Sequence, residues 1–247
     1  MHLLFDLDGT LTNSREGVVR CIQHALREVG AFVPPLEELT HYVGPPLPAS
    51  FAALLGTADV VRVDAALAAY RRRFERVGML ENRLFPGIAE ALEECAGAGH
   101  AMCVVSAKPR VYARRILKHF AIASLIRGVY GPGLGDRAYT KESLIREACL
   151  REQVQGNRAV MIGDRAEDVL GAKRNGVDAL AVTWGYGERE ELEAARPSCI
   201  VTSCDELLDY IRRAAQHPHA PAGRGRPAAA GDAGTLDGWT DQSAGRT

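Results

Sequence analysis

Three short, uniformly apolar runs punctuate the chain: Leu3–Phe5, Ala101–Val105 and Ala159–Ile162. Each is too short and too evenly apolar for an amphipathic helix, and each is followed by a helical pattern. This predicts buried parallel strands of an α/β sheet. A fourth strand is expected at Ala179–Val182 and a fifth at Cys199–Val201. Between the runs, apolar positions recur at helical spacing: Ile88, Ala91, Leu92 and Cys95, then Val111, Ile116, Leu117 and Phe120. The same spacing links Leu144, Ile145, Ala148 and Cys149, and finally Leu207, Leu208 and Ile211. Ligands of such sheets bind beyond the carboxyl ends of the strands. The three runs therefore deliver Asp6, Ser106 and Asp164 to one edge.

Residues 14–83 break this rhythm and hold no convincing strand. Val18, Val19, Ile22, Leu26 and Val29 mark one amphipathic helix, and Val63, Leu67, Tyr70, Phe74 and Val77 mark another. Between them lies His41-Tyr42-Val43-Gly44-Pro45-Pro46-Leu47-Pro48, whose prolines are expected to interrupt any helix. The pattern predicts a helical insertion at 14–83, a candidate lid on a core formed by 1–13 and 84–215. From Gln216 onward half of the residues are Ala, Gly or Pro and large apolar side chains are nearly absent, so 216–247 is expected to be a disordered tail.

Four polar clusters carry candidate chemistry. In Phe5-Asp6-Leu7-Asp8-Gly9-Thr10 two carboxylates two residues apart follow a strand, an arrangement that a hard cation such as Mg²⁺ would stabilise. Asp6 could attack phosphorus and Asp8 could exchange protons with the leaving oxygen and with water. A solvated Asp-x-Asp-Gly turn is the competing explanation. In Gly163-Asp164-Arg165-Ala166-Glu167-Asp168, Asp164 and Asp168 are spaced to face one site, although helix capping also accounts for Asp168. Ser106-Ala107-Lys108-Pro109 offers a hydroxyl and backbone N–H groups for a phosphate, or a simple helix cap. Lys141 stands where a helix begins, a poor place for a cation unless it neutralises a carboxylate or phosphate; a solvated surface lysine is the alternative.

Composition sharpens the picture. Lys and Arg total 30 and Asp and Glu 31, giving a formal net charge of −1, so there is no basic field for a nucleic acid polymer. Only four of those 30 basic residues are lysines, at 108, 118, 141 and 173, which makes each worth examining. No apolar run approaches the length of a membrane span and the first residues do not read as a secretory signal. The six cysteines form no C-x-x-C pair, so buried free thiols and a cytoplasmic location are expected.

Taken in order, Asp6-Leu7-Asp8-Gly9-Thr10, Ser106, Lys141 and Gly163-Asp164 with Asp168 resemble the motif set of the haloacid dehalogenase superfamily over roughly residues 2–215. The resemblance implies a Rossmann-like parallel sheet core with a helical cap inserted after the first strand. It implies that Asp6 is the nucleophile and Asp8 the acid/base. Ser106, Ala107 and Lys141 would hold the phosphate. Mg²⁺ would lie among Asp6, Asp8 (through its carbonyl), Asp164 and Asp168. The superfamily's dehalogenases lack the second Asp, and its P-type ATPases carry Lys-Thr after the nucleophile, so a phosphatase or phosphomutase is expected here. Val43-Gly44-Pro45-Pro46-Leu47 and Trp184-Gly185-Tyr186-Gly187 are similar to the bacterial phosphoglycolate phosphatase and 5′-nucleotidase-like branch. The expected activity is a Mg²⁺-dependent phosphomonoesterase acting on a small phosphorylated metabolite as a monomer or homodimer. Phosphoglycolate is the first candidate substrate and a nucleoside 5′-monophosphate the second, followed by a phosphomutase; a phosphometabolite-binding scaffold is the non-enzymatic alternative. His41 and Tyr42, beside the Pro-rich loop, are candidates for substrate selection.

Overall fold

The computed structural model describes residues 1–136, 139–154 and 158–216. Six parallel strands form the central sheet: β1 (His2–Phe5), β4 (Ala101–Val105), β5 (Gly128–Tyr130), β6 (Ala159–Gly163), β7 (Asp178–Val182) and β8 (Cys199–Val201). Their order is β5-β4-β1-β6-β7-β8. The chain starts in the middle, builds outward to one side, then returns to build the other. Both neighbours of β1 are therefore strands from far along the sequence. Phe5 pairs with Val104 on one side and Ile162 on the other, which brings the three strand ends level.

Alternation along β1 divides the apolar side chains between two layers. Leu3 and Phe5 join one buried cluster, and Leu4 joins the other. Leu4, Cys103, Val105 and Met161 meet α6 (Lys141–Arg151), α7 (Ala166–Arg174) and α8 (Arg189–Ala195) through Ile145, Val169 and Leu192. Leu3, Phe5 and Val104 meet α4 (Ile88–Gly97), α5 (Arg110–His119) and α9 (Cys204–Gln216) through Leu92, Ile116 and Leu207. The result is a three-layer α/β sandwich. The expected tail lies outside the described residues, apart from Gln216 at the end of α9.

Strands β2 (Thr12–Asn13) and β3 (Arg83–Leu84) pair antiparallel and form a stem that the sequence did not announce. The segment between them is helical: α1 (Arg15–Glu28), α2 (Leu47–Leu55) and α3 (Val60–Arg73). Contrary to expectation, the Pro-rich loop does not exclude a helix, because Pro48 falls in the first turn of α2, where its missing N–H has no partner to lose. The stripe on α3 also ends differently. A π-helical turn at Phe74–Gly78 inserts an extra residue into the repeat, so Gly78 takes the buried place and Val77 is 46% exposed. On α5 the buried face is Tyr112, Ala113, Ile116 and Leu117, and Val111 faces outward.

Candidate active site

Asp6 leaves β1 as its backbone N–H donates to the Ile162 carbonyl (2.9 Å). The chain then turns sharply: the N–H groups of Leu11 and Thr12 both return to the Leu7 carbonyl (3.0 and 2.8 Å). Gly9 sits at φ +89°, and a Cβ there would collide with the Asp164 carboxylate, so glycine is required on both counts. Asp164 is fully buried, and both its oxygens are held. Thr10 Oγ1 donates to Oδ1 (3.1 Å) and the Tyr186 N–H to Oδ2 (2.8 Å). The Trp184–Gly187 loop thus closes over Asp164, with the indole N–H of Trp184 donating to the Thr10 carbonyl (3.0 Å).

Asp168 lies in the first turn of α7, where it caps the helix and also faces the site. Its Oδ2 accepts the Arg165 backbone N–H (3.1 Å), a capping bond, while Oδ1 faces Lys141 Nζ at 2.7 Å. Lys141, the first residue of α6, also reaches Asp6 Oδ1 (3.0 Å) and donates to the Val105 carbonyl (3.1 Å). It is buried, not a solvated surface lysine. Burial pulls its ammonium down, but the facing carboxylates of Asp168 and Asp6 outweigh that and hold it well above its ordinary range. Ser106 lies four residues before the start of α5, so it is not that helix's cap. Its Oγ instead accepts the Lys108 N–H (3.3 Å).

Ligand atoms of Asp6, Asp164 and Asp168 lie within 4.8 Å of one another. The Asp8 carboxylate is not in that group, which leaves its backbone carbonyl, the expected metal contact, untested; its Oδ2 pairs with Lys108 Nζ at 2.8 Å. Four carboxylates thus face two ammonium groups, Lys108 and Lys141. The excess is two negative charges, what one divalent cation would balance. Asp164 registers the excess. Burial, then the neighbouring charges of Asp6 and Asp168, push its carboxyl up to about 8. Burial also raises Asp168, against the pull of Lys141. The oxygen-only donor set fits Mg²⁺.

Two cavities meet at this point. The acidic one, about 510 Å³ counting its open mouth, is lined by Asp6, Ser106, Lys141 and Asp168. The other, about 900 Å³ on the same measure, is lined by Tyr42, Tyr70, Phe74, Tyr112 and Tyr139. Asp8, Ala107 and Lys108 line both, as do Gly44 and Pro45 of the Pro-rich loop.

Residues 3–182 match the haloacid dehalogenase-like hydrolase family. The chain belongs to the haloacid dehalogenase-like hydrolases.

A 5′-nucleotidase of Pseudomonas aeruginosa is 44% identical over 80% of this chain and 89% of its own. The tyrosine-protein kinase PtkA of Mycobacterium tuberculosis is 35% identical over 86% of this chain and 71% of its own. A phosphoglycolate phosphatase of Vibrio parahaemolyticus is 27% identical over 85% of this chain and 95% of its own. Among solved structures, a predicted phosphatase from Clostridium acetobutylicum aligns with a TM-score of 0.81 at 37% identity, over 86% of this chain and 98% of that one. This haloacid dehalogenase-like chain is a phosphatase of that family, and no helix among its described residues is long and apolar enough to cross a membrane.

Of the residues proposed for substrate choice, Tyr42 lines the large cavity. His41 is exposed and lines neither cavity; its ring meets that of Tyr42 at a tilt of 40° (centroids 4.0 Å apart). Arg71, near the end of α3, also lines the large cavity. Arg72 pairs with Glu28 and Arg73 with Glu81. Lys108, one of only four lysines and two residues after Ser106, stood out in the sequence but received no role there.

Proposed function

We propose that this phosphatase is a Mg²⁺-dependent phosphomonoesterase of nucleoside 5′-monophosphates. The observation that carries the reading is the junction of an acidic pocket with a larger, ring-lined cavity. A phosphoryl group would sit in the first and an aromatic base in the second, where offset or edge-on ring contacts add to apolar burial. The similarity to the Pseudomonas aeruginosa 5′-nucleotidase supports the same substrate class. The cavity supports placing the nucleotide ahead of phosphoglycolate, the opposite of the order expected from sequence, since glycolate has no ring to occupy it.

Asp6 would form the O–P bond as the ester oxygen departs, and Asp8 would give that oxygen its proton. In the second step Asp8 would take a proton from water as the water oxygen attacks phosphorus and frees Asp6. Lys141, Ser106 and the Ala107 backbone would orient the phosphoryl oxygens. Asp6, Asp164 and Asp168 would hold Mg²⁺, which when bound supplies positive charge to the phosphoryl oxygens. A second reading, phosphoglycolate, is favoured by Arg71: it lines the large cavity and pairs with no carboxylate among the described residues, so it could receive the glycolate carboxylate. Phosphate release from a panel of nucleoside 5′-monophosphates, with Mg²⁺ and with chelator, tests the proposal. Metal-dependent turnover on the nucleotides is expected, and its absence on all of them overturns the assignment.

A further inference from the structure

Lys108 belongs to neither the metal cluster nor the phosphate-facing group, yet it is buried where the two cavities meet. Its ammonium is 2.8 Å from Asp8 Oδ2, and its side chain is only 8% exposed. The same ammonium lies 4.6 Å from the ring centroid of Phe74, at the end of the helical insertion. Phe74 is itself fixed. It stacks on Tyr70 (5.6 Å, 11° between planes) and meets Tyr112 of α5 edge-on (5.2 Å). Tyr112 then donates its hydroxyl to Glu75, beside Phe74, at 2.6 Å. The other oxygen of Asp8, Oδ1, is buried and accepts no hydrogen bond among the described residues.

We infer that Lys108 is a positioning residue for the proton transfer made by Asp8, and that the insertion sets its place through Phe74. The inference rests on the acid/base reading of Asp8. With Oδ2 tied to Lys108 and Oδ1 buried, the Asp8 carboxyl is held in one orientation at the junction of the two cavities, where the leaving group would lie. Proton transfer demands a donor held within hydrogen-bond reach of the leaving oxygen, and a loosened carboxyl loses that geometry. Because Phe74 belongs to the insertion and Lys108 to the core, the orientation of Asp8 depends on the insertion being docked. Chemistry and enclosure of the substrate are linked through one ammonium group.

The test compares phenyl phosphate with 4-nitrophenyl phosphate, two esters of similar shape. Phenolate leaves poorly without a proton and 4-nitrophenolate leaves well without one. The quantity read is kcat/KM, which stops at the first irreversible step and excludes the later attack of water. Lys108→Met should lower kcat/KM for phenyl phosphate by about 10²-fold and for 4-nitrophenyl phosphate by less than about fivefold, the range expected when only acid catalysis is impaired. Lys108→Gln, which keeps a donor for Oδ2, should show a smaller loss with the same bias. Phe74→Leu should show that bias too, and combined with Lys108→Met it should add little. Inhibition by inorganic phosphate should be unchanged in Lys108→Met. Equal losses on both esters, or weakened inhibition by phosphate, would mean that Lys108 grips the phosphoryl group and would overturn the inference. Melting temperatures identify a variant that fails to fold, and Lys108→Gln then carries the same test. Asp8→Asn separates the levels: if its losses are equal on the two esters, the acid/base reading of Asp8 is itself wrong and the inference falls with it.

Discussion

The acidic pocket and the ring-lined cavity share a wall but are built by different means. The pocket is made by strand ends: β1, β4 and β6 lie side by side, and each places a polar residue just beyond its last apolar one. Its side chains are fixed by charge, with Lys141 between Asp6 and Asp168 and with Asp164 held by two hydrogen bonds. The cavity is made by helices and loops from both the insertion and the core, and five aromatic rings, four of them tyrosines, stand in its wall. Charge fixed on a rigid sheet suits a step common to all phosphate esters. A wall contributed by a separate helical segment suits discrimination among leaving groups, since that segment changes without disturbing the sheet.

The sharpest way to break this division is to replace Asp6, the proposed nucleophile. Asp6→Asn keeps the shape and removes the attacking charge, so turnover should fall at least about 10³-fold on every ester alike. The protein should stay folded, as circular dichroism would report, because one member of a crowded carboxylate cluster has been neutralised. Near-normal turnover would refute the covalent route. Metal removal should be nearly as severe: chelation should abolish activity on all esters, and Mg²⁺ should restore it. Ca²⁺ should not, because its looser, higher coordination disturbs in-line geometry. Full activity after chelation would contradict the role given to Asp164 and Asp168.

The cavity side predicts a smaller, selective effect. Tyr42→Ala should lower kcat/KM on a nucleoside monophosphate by about tenfold, the order of one lost ring contact, while leaving a small aryl phosphate within about threefold. His41→Ala should change both less, because the His41 ring touches Tyr42 at a tilt but lines neither cavity. Equal proportional losses on both esters from Tyr42→Ala would mean that the cavity does not select.

How far each half could be read from sequence follows the same division. Asp6, Ser106 and Asp164 were legible because a short apolar run ending in a polar residue fixes both the strand and the position of that residue. Lys141 was legible only as an anomaly, a cation at a helix start; its explanation, two carboxylates from other strands and helices, is tertiary. Lys108 gave only the signal of its rarity, since its partners Asp8 and Phe74 lie far away along the chain. Strands of two residues, such as β2 and β3, are too short to carry a period. The π turn at Phe74–Gly78 shifts the helical repeat by one residue, so the stripe that predicted Val77 as buried was read in the wrong phase. Tyr42 stands in the cavity wall a few residues before α2, a helix the prolines seemed to forbid.

The smallest expected effect concerns stability. In the metal-free protein the Asp164 carboxyl is raised from 3.8 to about 8, and Asp168 is raised as well. Between those limits the folded chain binds protons that the unfolded chain has released, so the sign is negative: metal-free stability falls as pH rises from about 4 to about 8. Mg²⁺ displaces those protons, and its binding strengthens over the same interval. The rise in melting temperature on adding Mg²⁺ should therefore be larger at pH 8 than at pH 6, as thermal denaturation would record; an equal rise at both would contradict the charge excess.

The most direct test of the central claim, that the acidic pocket performs the reaction and the ring-lined cavity chooses the ester, is kcat/KM of the unaltered enzyme on a nucleoside 5′-monophosphate and on phosphoglycolate under saturating Mg²⁺. The account predicts that the nucleotide is favoured by at least about tenfold, the order that one or two ring contacts supply. Equal values, or a preference for phosphoglycolate, would contradict it.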